Sequence, residues 1–518
     1  MNGQESAEAI VPEQTCMNWE GLNVKMSFNF VRFVSKVKKA DNPERERDYP
    51  HEVGVELRGN EGEQSVTPVS AEGKDNSKVN TGNLLEKVLD RDNLNLAYKR
   101  VKKNDGSHGV DGMKVDELLP YLKQQGEHLK QSLLAGNYRP QPVRRVEIPK
   151  PDGGIRLLGI PTVIDRMIQQ AIAQVLSPIF EKEFSNHSYG FRPGRNAHQA
   201  IKQAAAYINE GYKIVVDIDL EKFFDRVNHD RLMYLLSKRI VDKRILKLIR
   251  LYLESGVMIG GLVSPTGEGV PQGGPLSPLL SNVLLHELDK ELERRGHRFC
   301  RYADDCNIYV KSKKAGNRVM ESVKEFIEKR LKLKVNREKS AVDYPGKRKF
   351  LGFSFYRRNG IHRIGVHPKP IKRLKEKLKV ITSRSNGWSI EVKILKLNQV
   401  ITGWVNYYSI AEMQSHCKKV DEWLRRRLRM CIWKQWKHIG TRHKNLVKLG
   451  ISSSKALEYA NTRKGYWHTA NSHILACSLT NSFFCKLGLI GLSEAYSKSL
   501  SLRTAVCRTA RTGGVRGQ

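Results

Sequence analysis

Two adjacent carboxylates, Asp304 and Asp305, interrupt an otherwise apolar and aromatic stretch, FCRYADDCNIYV (Phe299–Val310). Like charges side by side raise each other's affinity for protons unless a cation lies between or above them. Hard divalent cations such as Mg²⁺ are held by one or two carboxylates together with substrate phosphates. More acids stand in YKIVVDIDLEKFFDRVNHDRLM (Tyr212–Met233), where a β-branched run, Ile214–Ile218, carries Asp217 and is followed by Asp219 and a Phe-Phe pair. A carboxylate at the end of a buried strand is costly unless paired or metal-bound. If the two segments neighbour each other in one sheet, Asp217, Asp304 and Asp305 converge. Such a set suits two-metal phosphoryl transfer, in which one ion activates an attacking hydroxyl and the other neutralises the leaving group. Paired acids also occur in ordinary exposed turns, so the rest of the chain must decide.

The elements that position these acids are legible in outline. Cys306, Ile308 and Val310 alternate with Asn307 and Tyr309, the period of a half-buried strand, which predicts a β-hairpin with both acids at its tip. Asn-Gly or Asp-Gly is the usual choice there, so a glycine-free Asp-Asp tip is costly. Ile214–Ile218 reads as a strand buried on both faces. VRRVEIPKPDGGIRLLGIP (Val143–Pro161) predicts two strands around a Pro-Asp-Gly-Gly turn, flanked by Lys150 and Arg156. Such basic arms can close over phosphates, and a solvated hairpin also carries them. SYGFRPGRNAHQAI (Ser188–Ile201) is a Gly/Arg/aromatic loop opening a helix, suited to phosphates or a stacked base through Arg192 and Arg195. GVPQGGPLSPLLSNVLLHELDKEL (Gly269–Leu292) is a Gly/Pro turn leading into a long helix. A single helix capped by Asn83 is predicted over Leu84–Lys103, with others over Lys114–Ser132, Asp165–Phe180, Val319–Leu331, Pro368–Ser383 and Ile390–Tyr408. Short strands are expected within Leu331–Val342 and Arg348–Gly360.

The chain has 518 residues, room for about three or four domains. Mean hydropathy is −0.51, 28% of residues are charged, and no apolar run reaches the roughly 18 residues of a membrane span. There is no secretory signal pattern. The eight cysteines are scattered without a CxxC pair, which argues against a disulfide framework or zinc ribbon and fits a reducing cytoplasm. Net charge is +36, yet residues 1–84 hold 10 Lys/Arg against 14 Asp/Glu, so the excess lies on the remainder. Such an excess points to a polyanion, above all nucleic acid. A highly basic structural protein is the alternative, but those are usually shorter. Trp423 to Leu457 holds ten Lys/Arg and no acid, interleaved with Trp423, Trp433 and Trp436. Instead of a merely solvated helix face, this favours nucleic-acid contact through Arg425, Arg426, Arg427, Arg429, Lys434 and Lys437. Residues 1–80 read as a polar, disordered leader with one amphipathic patch, Met26–Lys39.

Tyr302-Ala303-Asp304-Asp305 resembles the polymerase signature of reverse transcriptases. IPKPDGGIRLLGIP, SYGFRPGRNAHQAI, VVDIDLEKFFDRVNHD, GVPQGGPLSPLLSN, RYADDCNIYV, LKLKVNREKS and KFLGFSF follow in the order of the blocks of group II intron-encoded reverse transcriptase/maturases, from Leu84 to Leu492. The likeness is nearest to the bacterial lineage without a nuclease domain, often called class C. It implies an α+β right-hand polymerase: N-terminal helices and fingers over 81–211, a palm with an antiparallel sheet over 212–365, a helical thumb and maturase region over 366–440, and a basic DNA-binding region and tail over 441–518. It implies two Mg²⁺ ions on Asp217, Asp304 and Asp305, with Ile218 among the metal-binding residues; of the adjacent pair, Asp304 is expected to be indispensable and Asp305 to coordinate less directly. It further implies Lys150 and Arg156 on the incoming triphosphate, Gln272 bordering the nucleotide, and Phe223, or Phe224 beside it, crowding a ribose 2′-hydroxyl. Lys339 would neutralise the triphosphate or protonate pyrophosphate. The implied partners are intron RNA, target DNA and dNTPs, with no membrane; the oligomeric state stays open, a dimer among the options. Without the paired-CxxC nuclease of many relatives, second-strand cleavage is not expected, and mobility would need another primer. The alternatives are a splicing-only RNA-binding maturase and a retron or other prokaryotic reverse transcriptase.

Overall fold

The computed structural model describes residues 82–149, 154–259 and 261–512, with side chains as far as residue 502. The 1–80 leader, its Met26–Lys39 patch and Lys150 lie outside the described residues. Where one N-terminal helix was expected there are two, α1 (Leu84–Val88) and α2 (Arg91–Asn104). Asp90 divides them: its side chain accepts from the backbone N–H groups of Asp92 and Asn93, starting a fresh helix, whereas Asn83 makes no side-chain cap. Next come α3 (Leu118–Leu134), β1 (Val143–Pro149) and β2 (Ile155–Ile160). β1 and β2 pair antiparallel from Arg144↔Ile160 to Pro149↔Ile155, as the Pro-Asp-Gly-Gly turn predicts.

Then follow α4 (Val163–Glu181), α5 (Ala197–Asn209), β3 (Ile214–Ile218), α6 (His229–Ser237), α7 (Lys243–Glu254), β4 (Val257–Ile259) and β5 (Leu262–Ser264). β4 and β5, which no sequence pattern announces, join the first hairpin in a sheet of order β2-β1-β4-β5. The central part of the chain supplies α8 (Ser277–Arg294), β6 (Arg298–Tyr302), β7 (Asp305–Val310), α9 (Lys313–Arg330), β8 (Ala341–Asp343), β9 (Phe353–Arg358) and β10 (Ile361–Val366). Among these, β6, β7, β3 and β8 form a fully antiparallel sheet in that order.

This sheet is covered on both faces, which is why β3 reads as an unbroken apolar run rather than an alternating one. Ile214, Val216 and Ile218 sit in one core with Phe299, Ile308 and residues of α4, α8 and α9. Val215, Cys300 and Tyr309 face a second core with α5, β9 and the C-terminal helices. Those helices are α10 (Pro368–Ile381), α11 (Ile390–Tyr408), α12 (Gln414–Gln435), α13 (Ile439–Lys448), α14 (Ser453–Ala460), α15 (Tyr466–Thr469), α16 (His473–Ser478), α17 (Asn481–Lys486) and α18 (Leu492–Thr512). The architecture is α+β. Among the described residues no helix is long and apolar enough to cross a membrane.

Candidate active site

The acids meet because β3 and β7 are direct neighbours, Asp217 opposite Asn307 and Ile218 opposite Cys306. Beyond β3, Asp219 falls on the face of Asp217, two residues along an extended chain. Its N–H donates to Ser340 Oγ (3.0 Å), and its carbonyl accepts from Asn336 N–H (2.8 Å). The hairpin of β6 and β7 closes with Tyr302 opposite Asp305. Only Ala303 and Asp304 therefore form the turn, and Asp305 is the first residue of β7 rather than a second tip residue. Ala303 takes the left-handed conformation that a two-residue hairpin turn needs, at φ +56°.

The acids do not share one environment. Asp217 is bound through one carboxylate oxygen to Arg348, whose Nε and Nη2 donate at 2.9 and 2.6 Å. Asp219 lies 4.0 Å from Lys339 Nζ. Burial raises the proton affinity of Asp304, Asp219 adds to this, and Arg156 and Arg301 oppose it. Asp305, exposed at the start of β7, is pushed up by the protein around it and by Asp304, Asp217 and Asp219, with Lys349 opposing. The carboxylates thus repel one another more than Arg156, Arg301 and Lys349 offset. Among the described residues no group of three or more His, Cys, Asp or Glu is drawn together tightly enough to hold a metal ion. The chemistry of the donor set nonetheless fits a hard divalent cation: clustered carboxylate oxygens with unrelieved mutual repulsion.

Several expected site residues need correction. Asp217 belongs first to an ion pair with Arg348, and Asp219, which sequence reasoning left out, is the β3-side acid that bears most on Asp304. Phe223 is 3% exposed and part of the core, so it cannot border a ribose; Phe224, edge-on to it at 5.1 Å, is half-buried. The Ile218 side chain is in the core, which leaves only its backbone carbonyl as a conceivable ligand. Arg192 is buried, held by Glu181 (2.7 Å) and the Ser188 carbonyl (2.8 Å), and braces its own loop. Arg195 is half-exposed beside Tyr189 and donates to Asn186 Oδ1. Gln272 ties the Pro-Gln-Gly turn to the first hairpin, its carbonyl accepting from Gly159 N–H at 2.9 Å. Arg156 lies on the exposed first part of β2 and acts electrostatically on Asp304.

The basic run on α12 divides in the same way. Arg427 donates to Thr382 Oγ1 (2.6 Å) and to the Lys379 and Thr382 carbonyls, closing the C-terminus of α10. Arg429 donates to the Leu479 carbonyl (3.1 Å), and Trp433 is wholly buried with Arg442 over its face. Arg426 stacks on partly exposed Trp467 at 3.9 Å. Arg425 is half-exposed, and Lys434 and Lys437 are exposed. The partners Arg348 and Thr382 lie too far along the chain for any local pattern to announce them.

Comparison with known proteins bears on the family of the chain. The family described as "Reverse transcriptase (RNA-dependent DNA polymerase)" matches residues 148–355, and "Group II intron, maturase-specific domain" matches residues 371–450. Protein YkfC of Escherichia coli is 34% identical over 50% of this chain and 79% of its own length. The group II intron-encoded protein LtrA of Lactococcus lactis is 31% identical over 51% of this chain and 55% of its own, so the chain spans about half of that relative. A solved Cas6-RT-Cas1–Cas2 complex is 24% identical over 48% of this chain and 42% of that chain, with a TM-score of 0.31. With a reverse transcriptase domain around the acid cluster and a maturase domain in the helices that follow, the chain belongs to the group II intron-encoded reverse transcriptase/maturases.

Proposed function

We propose that this protein copies RNA into DNA from a primer 3′-hydroxyl, with Asp219, Asp304 and Asp305 as the acids at the reacting centre. The observation carrying the reading is the approach of β3 and the β6–β7 turn, which gathers carboxylates among Arg156, Lys339 and Lys349. In this reading the four-stranded sheet with β3 is the palm, the β1–β2 hairpin belongs to the fingers, and α10–α12 form the thumb. Two Mg²⁺ ions held by these acids would activate the primer hydroxyl and neutralise the departing pyrophosphate. The chain's own residues do the positioning. Arg156 and Lys339 receive the triphosphate, Gln272 anchors the nucleotide-bordering turn to the fingers, and Phe224 takes the place expected of Phe223 against a ribose 2′-hydroxyl.

Intron RNA and target DNA would be bound by Arg195 in the loop before α5 and by Arg425, Arg426, Lys434 and Lys437 on and just after α12. A groove of about 480 Å³ between α10 and α12, where Lys372, Lys375, Lys379 and Trp423 stand with Glu376, His416 and apolar residues, supports this. Such binding would assist splicing and retrohoming. The decisive assay is primer extension on an RNA template with dNTPs and Mg²⁺. The wild type should extend and Asp304→Asn should not; an inert wild type or an active Asp304→Asn protein rejects the reading. A splicing role independent of polymerisation is favoured by the separate maturase match, residues 371–450. Asp304→Ala should then still splice the cognate intron.

A further inference from the structure

We infer that Arg301, Asp289 and Asn282 are positioning residues that hold the Asp304 turn in its reactive shape, an inference resting on the reading of Asp304 as a reacting-centre acid. Ala303 precedes Asp304 at φ +56°, a conformation that residues with a Cβ rarely adopt and that persists only where the surroundings over-determine it. The surroundings here are specific. Arg301, wholly buried, donates from Nη1 to the Ala303 carbonyl at 3.0 Å and to Asn282 Oδ1 at 3.1 Å. Its Nε and Nη2 donate to the two carboxylate oxygens of Asp289, also wholly buried, at 2.7 and 2.5 Å.

Asn282 extends the network by donating from Nδ2 to the Gly190 carbonyl at 2.9 Å. Gly190 backs the turn so closely that a Cβ there would stand 2.3 Å from the Ala303 nitrogen. The loop before it is pinned to β6, Arg301 N–H donating to His187 O and Tyr189 N–H to Arg301 O, both at 2.9 Å. Asp289 and Asn282 lie two turns apart on α8, so one rigid helix presents both to the guanidinium.

Stability alone is a poor reason for such a pair, since buried ion pairs can often be exchanged for apolar residues without loss. What apolar residues cannot supply is the N–H aimed at the Ala303 carbonyl. Remove it and the turn can relax, swinging Asp304 away from Asp219 and Asp305. A misplacement of about 1 Å at a reacting centre costs on the order of 100-fold in rate.

The test is the double variant Arg301→Met/Asp289→Leu in the full chain, with thermal melting, template–primer affinity and steady-state extension at varied dNTP. The expected result is a cooperative melt, unchanged affinity and KM, and kcat lowered by about tenfold or more. A folded double variant with wild-type kcat overturns the inference. Asn282→Ala is the second variant; it leaves the ion pair intact while cutting the tie to Gly190, and should lower kcat at constant KM. Wild-type kcat in that variant, or failure of both variants to fold, overturns the inference too, the latter because the network is then purely structural. Asp304→Asn run beside them separates the two readings. If it is dead while the double variant keeps kcat, only the positioning role falls; if it is active, the site assignment falls.

Discussion

At the scale of single residues, the sharpest expectation concerns two acids on one strand face. Asp219 faces Asp304 and Lys339, whereas Asp217 is occupied by Arg348. Asp219→Asn should therefore abolish extension, a loss of about 100-fold or more in kcat. Asp217→Asn should retain measurable activity but lower stability by about 1–3 kcal/mol, the worth of a charge-assisted hydrogen bond. Primer extension and urea unfolding on both variants decide it, and the reverse ranking would return Asp217 to the centre. A second expectation concerns His286, whose ring is buried edge-on to Phe184 with both nitrogens unpartnered. Burial first, then Lys290 and Arg301, hold its imidazole down to about 4 against an ordinary 6.5, while Asp289 and Glu287 oppose. The unfolded chain takes up this proton first. Stability is then complete above about pH 6.5 and is lost as pH falls toward 4, by on the order of 2 kcal/mol at pH 5. His286→Phe should flatten the difference between urea midpoints at pH 7.5 and pH 5; an unchanged difference rejects the assignment. Asp304 and Asp305 stand out in the sequence because their adjacency is itself a signal. Asp217 and Asp219 lie on one strand face, and no local pattern tells them apart; Arg348, 131 residues away, pairs with Asp217 alone.

At the scale of elements, local chemistry was legible wherever it carried a turn or a period. The β1–β2 hairpin is announced by Pro-Asp-Gly-Gly, β3 by its β-branched run, and α11 by its amphipathic pattern, which matches Ile390–Tyr408. The division of α1 from α2 escaped because Asp90 sits inside a helical period and acts as a cap only once the chain bends there. β4 and β5 escaped because each is three residues long and β4 gains its place by pairing with β1. The basic run on α12 misled in a similar way: several of its arginines and Trp433 pack inward, which charge counting cannot show. Arg427→Ala should accordingly destabilise the fold by about 1–3 kcal/mol, because it frees Thr382 and the last carbonyls of α10. Lys434→Ala, on an exposed position, should leave stability within about 0.5 kcal/mol and weaken RNA binding instead. Urea unfolding beside filter binding separates the two, and equal stability of both variants would show that Arg427 is no cap.

At the scale of the whole molecule, a net charge of +36 sets two effects of salt against each other. Alone, the folded chain repels itself, and that repulsion is screened beyond about 10 Å at 0.1 M salt. Moderate salt should therefore raise the melting temperature of the free protein. Bound to RNA, the same charges release condensed counterions, and added salt reverses that gain. If 6–10 phosphates are neutralised, affinity should fall by about 10³–10⁵ between 50 and 200 mM salt. Melting temperature and RNA affinity should thus move in opposite directions across one salt titration. Removing an outward lysine such as Lys437 should reduce the slope of log affinity against log salt by about one, whereas Arg192→Lys, at a buried position, should leave that slope unchanged. A slope equally reduced by Arg192→Lys would mean that its loop opens to meet the nucleic acid. A slope near zero for the wild type would mean that the positive excess serves something other than a phosphate backbone.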